Sequence, residues 1–247
     1  MRLEVFPTVE AARPDHLAGR AVVAVDVLRA TTTVVTALAH GARGVWPAGD
    51  PAAAEVLAAG LEPGSFLKGG ERGSFRLPGY DLGNSPLEYV PALVAGKWLV
   101  LTTTNGTGTI RLASAGRLAL AAALVNGRAV GAWVAKTGLE VSILCAGTRG
   151  EFSLDDVLCA GQVVDAVVET VDGDVDSSDL ARAARQLYLA NRDDLARALR
   201  DTHHGRRLCQ LGFTADLEHA ARADLYQVVP VYAGGVVTAG APLSPPP

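Results

Sequence analysis

The chain has 247 residues, of which 49% are hydrophobic and 19% charged, with a formal net charge of −4 and a pI near 5.7. Such a composition belongs to a globular protein with a sizeable core, and its acidic balance excludes the basic footprint that nucleic acid requires of a main partner. No run of about 18 apolar residues occurs and the start, Met-Arg-Leu-Glu-Val-Phe-Pro, lacks the apolar stretch of a secretory signal, so a cytoplasmic protein without a membrane anchor is expected.

From the N-terminus, apolar runs at 2–6 and 21–25 predict two strands. The second runs into Asp26-Val27-Leu28-Arg29-Ala30-Thr31-Thr32-Thr33, and helical spacing follows over 34–39. A strand at 44–46 and a helix at 51–59 come next. The stretch 60–91 breaks this rhythm: Gly, Pro, Ser and Asn recur in Glu71-Arg72-Gly73 and Asp81-Leu82-Gly83-Asn84-Ser85-Pro86 without a clear period. A loop of that length either serves a site or is a solvated insertion. A strand at 98–101 then leads through Thr102-Thr103-Thr104-Asn105-Gly106-Thr107 into a helix over 107–113. Strands at 118–122 and 140–145 and helices at 128–136 and 154–169 continue the alternation. Beyond 169 lie an acidic turn and Arg/Ala/Leu-rich helices near 179–190, 192–200 and 215–222, which predict a helical cap over about 172–225. The tail 241–247 is expected to be extended or disordered. Together these predict one layered α/β/α domain over 1–240, with a mainly parallel or mixed sheet and functional residues beyond the carboxyl ends of its strands.

The two Thr-rich segments share a strand-to-helix position. A helix start presents unpaired N–H groups and partial positive charge, so hydroxyls, Arg and small residues there suit phosphate, sulfonate or carboxylate. Several of these threonines also fit ordinary strand ends and N-caps. Asn105-Gly106 adds a tight turn that lets backbone N–H groups approach an anion. No GxxxxGK[ST] occurs, which argues against a nucleotide P-loop. Asp26 ends a strand beside Arg29, where a carboxylate can face a ligand. Leu28 stands where an aspartyl-phosphate enzyme of the haloacid-dehalogenase type would carry a second Asp.

Ser153-Leu154-Asp155-Asp156 matches a capping pattern, and its two adjacent acids exceed what a cap requires. Mg²⁺ takes one or two carboxylates with water and substrate oxygens, a demand that Asp26, Glu71 and Asp155 or Asp156 meet from separate loops. Cys145-Ala-Gly-Thr-Arg149 lacks the spacing of a cysteine phosphatase loop, so Cys145, Cys159 and Cys209 are read as reduced thiols, mostly buried. Asp172 to Asp179 fails as a calcium loop because its Gly is misplaced. His203-His204-Gly205 reads as a helix C-terminal turn with a Gly stop.

In order along the chain, Val25 to Thr33, Gly70-Glu71-Arg72-Gly73, Leu82-Gly83-Asn84-Ser85-Pro86, Thr103 to Thr107, Cys145-Ala146-Gly147 and Ser153 to Asp156 resemble the 2-phosphosulfolactate phosphatase family. Leu211-Gly212, Asp216, Asp224 and Val229-Pro230 extend the likeness. The resemblance implies a Mg²⁺-dependent phosphatase that converts 2-phospho-3-sulfolactate to 3-sulfolactate, a step toward coenzyme M. The convergence of acids and anion donors at strand ends makes Asp26, Arg29 and Asp156 the expected catalytic residues and Asp26, Glu71, Asp155 and Asp156 the metal candidates. Thr31, Thr32, Arg72, Asn84, Ser85, Thr104, Asn105, Gly106 and Thr107 are then the expected contacts of a small anionic phosphorylated substrate. The family often has a basic residue directly after Asn-Gly-Thr; here Gly108 occupies that place and Arg111 follows a turn later, so one sulfonate contact is expected to have moved or been lost. Water attack and direct attack by Asp26 both fit. A phosphatase of another small phosphorylated hydroxy acid and a non-catalytic sulfonate-binding protein are the alternatives. A homodimer is the ordinary expectation at this size.

Overall fold

In the computed structural model, residues 1–240 are described; the tail expected at 241–247 lies outside them. The strands are β1 (Arg2–Phe6), β2 (Ala21–Val25), β3 (Gly44–Ala48), β4 (Phe66–Arg72), β5 (Phe75–Arg76), β6 (Trp98–Thr102), β7 (Leu118–Ala122), β8 (Val141–Cys145), β9 (Asp176–Ser177), β10 (Pro230–Ala233) and β11 (Val236–Ala239). Between them run α1 (Ala30–Ala39), α2 (Pro51–Ala59), α3 (Pro91–Val94), α4 (Gly106–Ala113), α5 (Gly127–Ala135) and α6 (Leu154–Thr170). Helices α7 (Asp179–Asn191), α8 (Leu195–Asp201), α9 (His203–Gln210) and α10 (Thr214–Ala220) follow.

Among the described residues the strands form one mixed sheet of eleven, ordered β5-β4-β6-β3-β11-β10-β7-β2-β8-β1-β9. The expected α/β class therefore holds. Strand β2 shows why the sheet is layered. All five of its residues are buried, and they alternate between two cores, as a period of two demands. Ala21, Val23 and Val25 join Val130 and Val134 of α5 and Val163 and Val167 of α6. Val22 and Ala24 join Val34 and Leu38 of α1 and Ile110 of α4 on the other face. Each valine so buried contributes roughly 1.5–3 kcal/mol of transfer free energy before entropy is counted.

Two parallel half-sheets form most of it, β4-β6-β3 and β7-β2-β8-β1. The C-terminal hairpin β10–β11 is wedged between them, antiparallel to each neighbour. Its two outer junctions are single residue pairs, Val231 with Leu120 and Val237 with Val45. By pairing alone the halves run in opposite senses, yet the carboxyl ends of β2, β4 and β6 line one cavity. The halves are therefore strongly rotated about the hairpin, which short, twisted two-stranded pairing permits.

Several elements differ from expectation, among them the short β5, β9 and α3, which lie outside the predicted strands and helices. Strand β4 lies inside the segment read as a loop; its sequence Phe-Leu-Lys-Gly-Gly-Glu-Arg hides the pattern because charges and glycines replace apolar residues. The β10–β11 hairpin carried a readable signal, Gly234-Gly235 between apolar runs, and both glycines have positive φ (59° and 89°). Helix α9 was also unexpected: His203 and His204 begin a helix instead of ending one, with Thr202 as N-cap accepting from the Gly205 N–H. Gly205 is a packing glycine, since a Cβ there would collide with the Leu199 carbonyl.

Candidate active site

A cleft of about 160 Å³ lies where the ends of β2, β4 and β6 meet the 146–150 loop and α9. Of the sequence-derived candidates, Asp26, Arg29, Glu71, Asn84, Thr104 and Asn105 line it. Thr103, Ser74, Thr148, Arg149, His204 and Arg207 complete much of the wall.

Asp26 follows the last residue of β2. Its Oδ1 accepts the Ala30 N–H (3.1 Å) and its backbone carbonyl accepts the Thr31 N–H (2.9 Å), so Asp26 itself occupies the start of α1 that was expected to hold an anion. The Oδ2 takes no protein hydrogen bond among the described residues and abuts Gly106, where any Cβ would strike it. The requirement for Gly106 is thus close approach, not an unusual φ. Burial pushes the Asp26 carboxyl up to about 7, with Asp155 and Glu71 adding repulsion against the pull of the Ala30 N–H and Arg29.

Arg29 is buried and fixed on three sides. It donates to Asp216 Oδ2 (2.7 Å) and the Ser74 carbonyl (2.7 Å), and its guanidinium lies 4.1 Å from the Phe213 ring centroid. Asp216 also accepts from Ser85 Oγ (2.6 Å), which assigns that hydroxyl to positioning Asp216. Neither Asp216 nor Phe213 followed from local spacing, because α10 brings them from far along the chain.

Glu71 is likewise engaged. Its Oε1 accepts the N–H and hydroxyl of Thr104 (both 2.8 Å), and its Oε2 accepts the Ser74 N–H (2.8 Å). Asn105 bridges to the Gly147 carbonyl (3.3 Å). Asn84 is buried, and its Oδ1 has no hydrogen-bond partner although it belongs to the cleft wall. A buried amide oxygen left unpaired is costly, so a ligand-side donor or cation is the natural partner.

Other candidates sit behind the wall. Thr31 and Thr32 are fully buried in the first turn of α1 and donate to the carbonyls of Asp26 and Val27 (2.7 Å each). Thr107 is fully buried, its N–H bonded to Thr103 Oγ1 (3.1 Å). Arg72 turns to the Glu71 carbonyl (2.7 Å) and Thr102 Oγ1 (3.2 Å). Asp156 accepts the N–H groups of Val27 (2.9 Å) and Gly147 (3.0 Å), tying the ends of β2 and β8 together. Asp155 accepts from Ser153 Oγ (2.7 Å) and faces His204 Nδ1 at 4.0 Å. Ser153 therefore serves Asp155 and makes no side-chain cap to its helix.

Burial raises the Asp155 carboxyl, opposed by His204 and Ser153. Burial also holds Asp156 far above the carboxylate range, reinforced by Asp155 and Asp26. His204 is pushed down by burial, with Arg29 and Arg207 acting in the same sense. Cys145 and Cys159 are buried thiols raised by desolvation, as befits packing residues.

Among the described residues no three His, Cys, Asp or Glu side chains gather as a metal cage. Mg²⁺ asks for less, because water and phosphate oxygens supply most of its shell. The wall offers hard oxygen donors of that kind in Asp26 Oδ2, Glu71 and the unpartnered Asn84 Oδ1, and a cation would relieve the mutual repulsion of the buried acids. These residues fit the ion; Asp155 and Asp156 stand behind them. No helix among the described residues is long and apolar enough to cross a membrane.

Residues 6–235 match the family described as 2-phosphosulpholactate phosphatase. A relative from Caldanaerobacter subterraneus subsp. tengcongensis is 36% identical over 237 residues, covering 96% of this chain and 98% of its own. One from Symbiobacterium thermophilum is 41% identical over 90% of this chain and 95% of its own, and one from Thermosynechococcus vestitus is 41% identical over 84% and 87%. All three carry the name "Probable 2-phosphosulfolactate phosphatase". The match runs through every loop that builds the cleft, and this chain belongs to the 2-phosphosulpholactate phosphatase family.

Proposed function

We propose that the protein hydrolyses the phosphate monoester of 2-phospho-3-sulfolactate, releasing phosphate and 3-sulfolactate, with Mg²⁺ as cofactor. The observation that carries this reading is Asp26: a buried carboxyl at a strand end, one oxygen anchored to the start of α1 and the other free, with a pKa of about 7. Without a metal a group so placed exchanges protons near neutrality, and a bound cation would draw it down to the carboxylate that accepts a proton. The product would enter coenzyme M synthesis as the family resemblance implies.

Mg²⁺, when held by Asp26, Glu71 and Asn84 with water, supplies neutralisation of phosphate charge. Asp26 takes a proton from the attacking water as the water oxygen bonds to phosphorus. The bond from phosphorus to the C2 oxygen of the substrate then breaks, and the leaving oxygen gains a proton from solvent. Arg29, held rigid by Asp216 and the Ser74 carbonyl, presents its remaining N–H groups to the equatorial oxygens as charge builds on them. Thr104 and Ser74 fix Glu71, and Asp156 fixes the loop that carries Asp26.

The test is phosphate release from 2-phospho-3-sulfolactate by the purified protein with Mg²⁺ and with chelator, beside Asp26→Asn. Metal-dependent release abolished by the variant is expected. Full turnover by a folded Asp26→Asn protein would remove Asp26 from the chemistry, and turnover undiminished by chelator would remove the metal.

A further inference from the structure

Next to the cleft lies a second cavity of about 380 Å³, and the two share Thr148, Arg149, His204 and Arg207. Neither arginine has a carboxylate within salt-bridge distance among the described residues, whereas the buried Arg29 of the same cleft is paired with Asp216. They arrive from unrelated segments, Arg149 from the turn after β8 and Arg207 from α9, and both line the cleft and the second cavity.

We propose that this annex is a second-anion subsite, in which Arg149 and Arg207 grip a sulfonate-class group at the end of the substrate remote from the phosphate. The inference deepens the phosphatase reading and rests on it for the identity of the reacting ester. A sulfonate stays ionised at any physiological pH, so it cannot be accommodated by protonation; it needs fixed positive charge. Arginine supplies that charge permanently, with forked donors matched to an oxyanion. At the inner end of the cleft Asp26 and Glu71 oppose an anion that brings no cation with it, and Arg29, the cation there, is already paired with Asp216 and given to the phosphate. The annex holds both arginines, and its one acidic side chain is Glu151. A sulfonated phospho-acid can therefore span the junction with its phosphate at Asp26 and its tail between the arginines. Selectivity between sulfonated and unsulfonated substrates then belongs to the annex.

Both arginines are solvent-exposed, so their replacement leaves the core intact. The experiment compares wild type, Arg149→Gln, Arg207→Gln and Arg207→Lys in two ways: steady-state turnover of 2-phospho-3-sulfolactate and of phospholactate, and calorimetric binding of 3-sulfolactate and of inorganic phosphate. Each Gln variant is expected to weaken 3-sulfolactate binding and raise KM for the sulfonated ester roughly tenfold, while phospholactate kinetics and phosphate binding move less than about twofold. Arg207→Lys should recover part of the loss, since it restores charge without the fork. Equal losses on both esters would assign the arginines to phosphate and overturn the proposal, as would no change on either. If wild type turns over neither ester, the phosphatase reading fails and binding still decides: 3-sulfolactate affinity that depends on both arginines sustains the subsite, and absent or arginine-independent affinity overturns it.

Discussion

The wall of the cleft formed by the ends of β2, β4 and β6 is buried and internally bonded, whereas the wall formed by the 146–153 segment and α9 is open and carries arginines without carboxylate partners. On the inner wall, Arg29, Glu71 and Asp216 each hold at least two protein partners, while Asp26 Oδ2 and Asn84 Oδ1 accept no hydrogen bond from the described residues. The difference separates two tasks. Groups that must act on a reacting atom are fixed in advance, while groups that receive a charged tail wait unpaired for it.

Asp26→Asn should separate the tasks most sharply, lowering kcat by about 10²–10⁴-fold in a phosphate-release assay. Its stability should move the other way. The folded Asp26 carboxyl lies near 7, above its unfolded value of 3.8, so its contribution to stability is complete in acid and is lost as pH rises through about 7. In chelator, the melting temperature of Asp26→Asn should therefore gain on wild type between about pH 4 and about pH 7. A variant that loses stability across that range would show that the charged form is the one the fold favours.

Asp216→Ala tests whether Arg29 depends on its support. Removing one partner of this buried pair leaves an uncompensated guanidinium and should cost about 3–5 kcal/mol in denaturant unfolding. Turnover should fall as well, because Ser85 and Arg29 both lose their anchor. Asp216→Asn keeps the shape and an acceptor, so it should recover much of the stability and less of the rate.

How far the site was legible follows from the range of each contact. Asp26, Glu71, Asn84, Thr104 and Asn105 stand at strand ends or turns marked by Gly, Asn and Pro, and such punctuation is local. Arg149 was visible only as a failed match to a cysteine phosphatase loop. His204 and Arg207 had no local sign at all, because what makes them site residues is the packing of α9 beside the end of β8, a contact that no spacing within Thr202 to Gln210 encodes. The layered sheet was readable from alternating apolar runs. The rotation of its halves was not, since it rests on a late hairpin joined by single residue pairs.

Asn84→Ala should give a smaller change than either aspartate. The orphaned amide oxygen contributes only once something is bound, so the free protein should keep its melting temperature while KM, or the Mg²⁺ concentration for half-maximal rate, rises roughly tenfold. Unchanged values for both would mean that Asn84 acts only through its backbone carbonyl, which accepts from Thr33 (2.8 Å).

The smallest effect is expected at Thr32, where sequence position and structure disagree most. Its hydroxyl lies beside the catalytic loop in sequence, yet it donates to the Val27 carbonyl and has no exposed surface. Thr32→Val preserves shape and removes one buried hydrogen bond, so it should cost about 1 kcal/mol of stability. The change should appear in the denaturation midpoint and leave KM and kcat within about twofold, since the substrate never meets that hydroxyl. A large rise in KM without loss of stability would place the first turn of α1 back among the substrate contacts. Thr31 would follow it, because both threonines are turned inward by the same bond to the strand end that precedes them.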